Sequence, residues 1–226
     1  MKSIRTFALI IATLLLGTGI SRAQFSTPDA GGSFTLNFIG TMPMGDFANT
    51  SYVPTLVAPS MYAFNGCGNA TFGAGLGFKA GYQFGFGLGV FVTADAMWNQ
   101  LNKDMRVSYN NRSKTKPNYA NFPILLAVDY KCYFGTVFGL YAEAGVGTGL
   151  LFVTPEGWSD NMTDYKLSAA FAWAGGLGIL LGEHFSLGVH YYMCGNHSIE
   201  MKNPPIYITP NEQKVGLLAL KLGLIF

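Results

Sequence analysis

Eight stretches of this chain alternate apolar and non-apolar residues with a period of two, each near the length of a strand that crosses a bilayer at a tilt. They fall at approximately 32–41, 69–82, 88–99, 119–133, 137–152, 166–181, 185–195 and 213–226. Beyond the N-terminus, no uninterrupted apolar run approaches the roughly 20 residues of a spanning helix. The connections alternate in length: long at 42–68, 100–118, 153–165 and 196–212, short at 83–87, 134–136 and 182–184. Four long loops on one side and three tight turns on the other predict an all-β fold, a closed eight-stranded antiparallel transmembrane β-barrel with extracellular loops and periplasmic turns. An even strand count returns both termini to the periplasmic side.

Side chains two apart share a face, so parity assigns the wall. In the last stretch Leu218, Leu220, Leu222, Leu224 and Phe226 lie on one face, with Ala219, Lys221, Gly223 and Ile225 on the other. The same count turns Phe34, Phe38, Phe72, Leu76, Phe78, Val90, Val92, Ile124, Leu126, Val128, Leu140, Val146, Leu167, Phe171, Leu187 and Val189 toward lipid. The opposite faces hold Gly73, Gly75, Gly77, Gly145, Gly147, Gly176 and Gly178, small enough for a narrow tube. Phe72, Trp98, Phe122 and Phe152 suit an outer interfacial girdle, and Tyr82, Tyr130, Phe138, Phe185 and Phe226 a periplasmic one. Trp173 lies mid-strand, outside that scheme.

The ionisable residues within the strands are Lys79, Asp95, Asp129, Lys131, Glu143, His190 and Lys221, and each has the parity of the non-lipid face. A Lys facing lipid at mid-depth would cost about 2–4 kcal/mol, so this agreement discriminates strongly. Counted from the nearest turn or terminus, all seven sit roughly five to nine residues up, which predicts one charge layer across the lumen. Three cations, three anions and a histidine can pair there, and pairing is what makes buried charge tolerable. The layer reads as a salt-bridged plug in preference to an ion or proton path.

The N-terminus has the form of a secretory signal peptide: Lys2 and Arg5, an apolar run from Phe7 to Leu16, then Ser21-Arg22-Ala23. Cleavage after Ala23 leaves one barrel domain at 24–226, with eleven basic against twelve acidic residues, a net −1 where the precursor has +2. That balance gives no basic bias toward nucleic acid. Half of the residues are hydrophobic and 12% are charged, with 29 Gly and 18 Phe, a composition that a barrel with small residues inside and aromatics outside accounts for.

Three separated segments carry a family resemblance. Gly40 to Phe47 (GTMPMGDF) resembles a Pro-x-Gly-Asp-Phe segment at the first loop of small barrels of the Bacteroidota, and Asn121 to Tyr130 (NFPILLAVDY) is similar to their Phe-Pro-led strand. The ending, with Leu222, Leu224 and the terminal Phe226, resembles the C-terminal signal read by the barrel insertion machinery. The resemblance is to the outer membrane protein beta-barrel domain group, similar to OmpX, the OmpA barrel and PorT-like proteins. It implies an integral outer-membrane location and a closed eight-stranded barrel, and says little of activity.

Other motifs weigh less. His197-Ser198-Ile199-Glu200 is the one constellation near the outer rim that an enzyme could use, but adjacent strand residues point to opposite faces, so His197 and Ser198 do not pair as base and nucleophile. His184 reads as a solvated turn residue. Cys67 and Cys194 both fall near the outer rim and could be bridged, although strands two and seven are not neighbours, and Cys132 has no evident partner; an odd count without metal spacing argues against zinc. Lys103, Arg106, Arg112, Lys114 and Lys116 in the loop at 100–118 form a basic cluster suited to the phosphates of lipopolysaccharide, although solvated loop charge is the simpler reading. The loop at 153–165 is acidic, with Glu156, Asp160 and Asp164. The longest loop, Met42 to Gly68, carries Tyr52, Tyr62 and Phe64 and suits a cap over the mouth or a partner contact.

These readings predict a non-enzymatic outer-membrane barrel without metal or cofactor, contacting lipid, lipopolysaccharide and surface partners through its outer loops. The alternatives are a narrow channel for ions or small apolar solutes, and a soluble lipocalin-type carrier, whose charges would lie outside and apolar residues inside.

Overall fold

Hydrogen bonding between neighbouring segments turns the alternation into a closed wall. The computed structural model describes residues 25–49, 68–101, 117–135, 137–155, 166–199 and 211–226. Eight long strands succeed one another: β1 (Gly31–Met44), β2 (Ala70–Gln83), β3 (Leu88–Leu101), β4 (Pro117–Phe134), β5 (Phe138–Pro155), β6 (Ser168–Leu181), β7 (Phe185–Ile199) and β8 (Asn211–Ile225). Each pairs antiparallel with the next, and β1 pairs with β8 from Thr35↔Ile225 to Met44↔Gly216, which closes the cylinder. Phe25–Ser26 adds a short pairing against Phe134 and Tyr133 at the end of β4. The tight turns use glycine where φ is positive, at Gly87, Gly135 and Gly182. Among the described residues, no helix is long and apolar enough to cross a membrane.

The outer surface is apolar around the whole circumference. Phe72 and Leu177 are 73% and 69% exposed, and Phe38, Leu76, Phe78, Val92, Ile124, Leu126, Val146, Phe171 and Leu220 are exposed with them. A belt of that extent has hydrocarbon as its natural solvent. The lower rim carries aromatic pairs, Phe34–Phe226, Tyr82–Phe84 and Phe134–Phe138, with ring centroids 6.2, 5.2 and 6.0 Å apart. Higher on the wall, Phe122 packs edge-on against Phe152 at 5.3 Å. Trp173 faces outward and lies against Tyr191.

Several strands run past their sequence-predicted ends, by one residue at most on the turn side and by up to four on the loop side. β5 continues to Pro155 and β7 to Ile199, because ladder hydrogen bonds need only backbone; Asn196↔Lys214 and Ser198↔Glu212 are paired although polar. On β7 a register shift between Met193 and Asn196, with Gly195 at φ +92°, resets the alternation so that His197 and Ile199 point inward. The ladder also lapses in the wall itself. Between β3 and β4 it runs from Leu88↔Tyr130 to Ala94↔Ile124 and resumes at Met97↔Asn121, skipping Asp95 and Ala96 opposite Pro123 and Phe122. Pro123 has no N–H to contribute.

The inward glycines make room for lumen side chains. A Cβ at Gly77 would meet the carboxylate of Asp95, whereas one at Gly31 would meet nothing within 4 Å. Gly77→Val therefore destabilises the folded barrel by about 1–3 kcal/mol, as overpacking does, while Gly31→Ala is neutral; urea unfolding in detergent micelles measures the difference.

Candidate functional site: a lumen filled in two layers

The lower half of the lumen holds the ionisable residues. Lys79 reaches from β2 to two carboxylates, with its Nζ 2.5 Å from Asp129 Oδ2 and 2.5 Å from Glu143 Oε2. Asp129 and Glu143 are direct partners across the β4–β5 ladder, an arrangement of like charges that is unfavourable until a cation bridges it. Lys131 stands 3.7 Å from Asp129, and His190 Nδ1 is 3.8 Å from Glu143. The Tyr141 hydroxyl contacts His190 Nε2 at 3.1 Å. A second group lies beside this one: Lys221 Nζ is 2.9 Å from Asp95 Oδ2, which also accepts from the Tyr192 hydroxyl at 2.8 Å. Phe91 lies under Lys79, and Tyr192 under Lys221, with the ammonium groups 4.2 and 5.2 Å from the ring centroids.

Cross-strand glycines create the space for these groups. Asp95 pairs with Gly77, Asp129 with Gly89, Lys221 with Gly188, and both Glu143 and His190 with Gly176. Asp95, Asp129 and Lys221 are only 3%, 2% and 4% exposed. The seven predicted residues thus come together in the lumen as two adjoining groups. Tyr141, Tyr192 and Phe91 were missed by reading charge alone, though Tyr141 and Tyr192 each sit two residues from a member and share its face.

The upper half departs from the expectation that apolar side chains point away from the tube. Ile39, Met97, Leu125, Leu151, Val153, Val215 and Leu217 are buried inside it. Phe47 joins them from above. The Gly45–Phe47 turn, with Gly45 at φ +59°, folds into the mouth, and Phe47 packs edge-on against Tyr119 with ring centroids 5.0 Å apart. Gly68 N–H donates to the Asp46 carbonyl at 2.8 Å, and Tyr119 donates to the Gly68 carbonyl at 2.7 Å. The Pro-x-Gly-Asp-Phe segment is a stopper. Within the charged layer a cavity of about 20 Å³ remains, room for about one water. A vestibule of about 290 Å³ opens at the turn-side mouth, lined by Ser33, Gln83, Lys131 and Glu183 among others.

The remaining predicted residues separate. His197 is buried, with Ser168 Oγ 3.2 Å from Nδ1, and its Nε2–H donates to the Cys194 carbonyl at 2.6 Å. Its neighbour is therefore Ser168 of β6, where the β6–β7 ladder has already ended at Trp173↔Met193, and the ring ties the two strands together. His184 is exposed in its turn. Cys194 is a buried free thiol pointing into the lumen, and Cys132 is free and half-buried. Phe226 is bonded to Phe34 in both directions, N–H to carbonyl, at 2.8 and 3.1 Å; Leu222 shares its outward face and is exposed, while Leu224 is half-buried. The signal segment 1–23, Cys67, Lys103, Arg106, Arg112, Lys114, Lys116, Tyr52, Tyr62, Phe64, Glu156, Asp160, Asp164 and Glu200 lie outside the described residues.

A closed eight-stranded antiparallel sheet with an apolar exterior and a side-chain-filled lumen defines a small membrane β-barrel. Its solved structural neighbours are barrels of outer membranes. They include Ail, the attachment invasion locus protein of Yersinia pestis, at 13% identity and TM-score 0.46, covering 88% of this chain and 100% of that one. Neisserial surface protein A matches at 13% and 0.47, covering 88% and 98%, and the outer membrane protein OprG of Pseudomonas aeruginosa at 16% and 0.45, covering 88% and 98%. No family model and no curated protein matches the chain.

Two substitutions test the filling. Lys79→Met leaves Asp129 and Glu143 facing each other without a bridge and destabilises by about 3–5 kcal/mol, the usual cost of breaking a buried pair. Phe47→Ala opens a void in the upper layer and costs about 3–5 kcal/mol. Urea unfolding of each variant in phospholipid vesicles reads both.

Proposed function

We propose that this protein is an integral outer-membrane β-barrel, non-enzymatic, with a structural or surface-interaction role exercised through its extracellular loops. One observation carries the reading: the lumen is occupied along its length, by ion pairs below and by apolar side chains and Phe47 above. A tube so filled leaves the outer face of the barrel and its loops as the surfaces that meet other molecules. The same filling counts against the narrow channel, and the apolar exterior against a soluble carrier. His197, held between Ser168 and the Cys194 carbonyl, fits a strand tie better than a catalytic base. The partners in this reading are outer-membrane lipid, lipopolysaccharide at the basic loop of Lys103, Arg106, Arg112, Lys114 and Lys116, and the barrel insertion machinery acting on the segment ending at Phe226.

In planar bilayers the purified protein is expected to give no stable open state, and a sustained conductance would restore the channel in its place. Replacing the five basic loop residues by Gln is expected to lower the lipopolysaccharide that co-purifies and to remove the salt dependence of its retention.

A further inference from the structure

Where the β3–β4 ladder lapses, the outer wall is dented. A groove of about 280 Å³, lined almost wholly by carbon, crosses β1 to β4 on the lipid-facing side. Its floor is made by Gly77, Ala94 and Ala96, and its banks by Leu76, Phe78 and Ile124. The small floor residues and the proline opposite Asp95 act together: the side chains leave the wall low where Pro123 removes a rung.

The depth of the groove points to its occupant. Ala96 is eight residues above Leu88 at the turn end of β3, so at ~3.4 Å per residue and ~45° tilt it stands about 19 Å up a belt about 25 Å tall. Trp98 follows on the same face and is exposed, marking the outer interface just above. Phe78, five residues above the turn end of β2, stands about 12 Å up by the same measure, so the groove runs from mid-depth up into the outer leaflet and is continuous with the lipid-facing belt. A second copy suits it poorly, because a two-fold contact through this face would set one concavity against another. A flexible hydrocarbon chain can enter, and a bulky headgroup would find no polar partner.

We propose that this groove is a seat for one acyl chain of the outer-leaflet glycolipid, lipid A, held in register below Trp98. The inference deepens the lipopolysaccharide contact proposed above by giving the lipid an apolar site on the wall, and it uses none of the loop residues.

Native mass spectrometry of the full barrel, released from micelles after equilibration with purified lipid A, tests it. The wild-type protein is expected to retain one lipid A, with Ala96→Phe and the milder Ala94→Leu each lowering the retained fraction at least about tenfold. Ala169→Phe, at an exposed position on β6, should leave retention unchanged. A heat-shift gel confirms that each variant is folded. Equal retention by wild type and both groove variants overturns the proposal. So does equal retention of palmitoyl-oleoyl-phosphatidylethanolamine, which marks a non-selective lipid contact, or a dimer mass that Ala96→Phe abolishes, which makes a second copy the occupant. If the five-Gln loop variant keeps its lipopolysaccharide while the groove variants lose lipid A, the loop reading falls and the groove stands.

Discussion

The hydrocarbon core of a membrane offers no hydrogen-bond partner, so every backbone N–H and C=O in the wall must be satisfied by a neighbouring strand. That constraint closes β1 onto β8 and makes the last residue a structural one, since Phe226 completes the seam with Phe34. It also explains the cost of interruption. Pro123 in the middle of a central strand forfeits a rung at lipid depth, and the neighbouring small residues leave a groove there. Where β6 and β7 lose their ladder near the long-loop end, the His197 side chain bridges them instead.

Closure at eight strands fixes the interior volume, and the interior volume decides what the lumen can hold. Cross-strand glycines beneath Asp95, Asp129, Glu143, His190 and Lys221 let charged side chains lie across a narrow tube without displacing the wall. Charge neutrality within the layer, three cations against three anions, follows from the need to pair what water cannot reach. Above it the problem is different. Apolar side chains from all eight strands leave a mouth that Phe47 fills from the first loop, so the upper lumen is sealed as a protein core is sealed.

Much of this was legible from period-two parity. The eight strands and the exposed lipid-facing set follow it, and Lys79, Asp95, Asp129, Lys131, His190 and Lys221 are buried with Glu143 half-buried among them. Reading stopped early where polarity replaced alternation, as at Asn196–Ile199, because pairing is a backbone property that side chains do not announce. The single layer expected of the charges resolves into two groups. Parity gives a side chain's face and approximate height, but not its azimuth around the tube.

The chain's own order of residues determined the wall: strand number, which faces meet lipid, and which residues turn inward, since each depends only on neighbours two positions apart. Tertiary structure decided the rest. That Lys221 meets Asp95, 126 residues away, and Lys79 meets both Asp129 and Glu143 depends on the stagger of strands around a closed cylinder. The stopper role of Phe47 and the groove over Ala94 and Ala96 arise the same way, because depth and curvature exist only once the sheet has met itself.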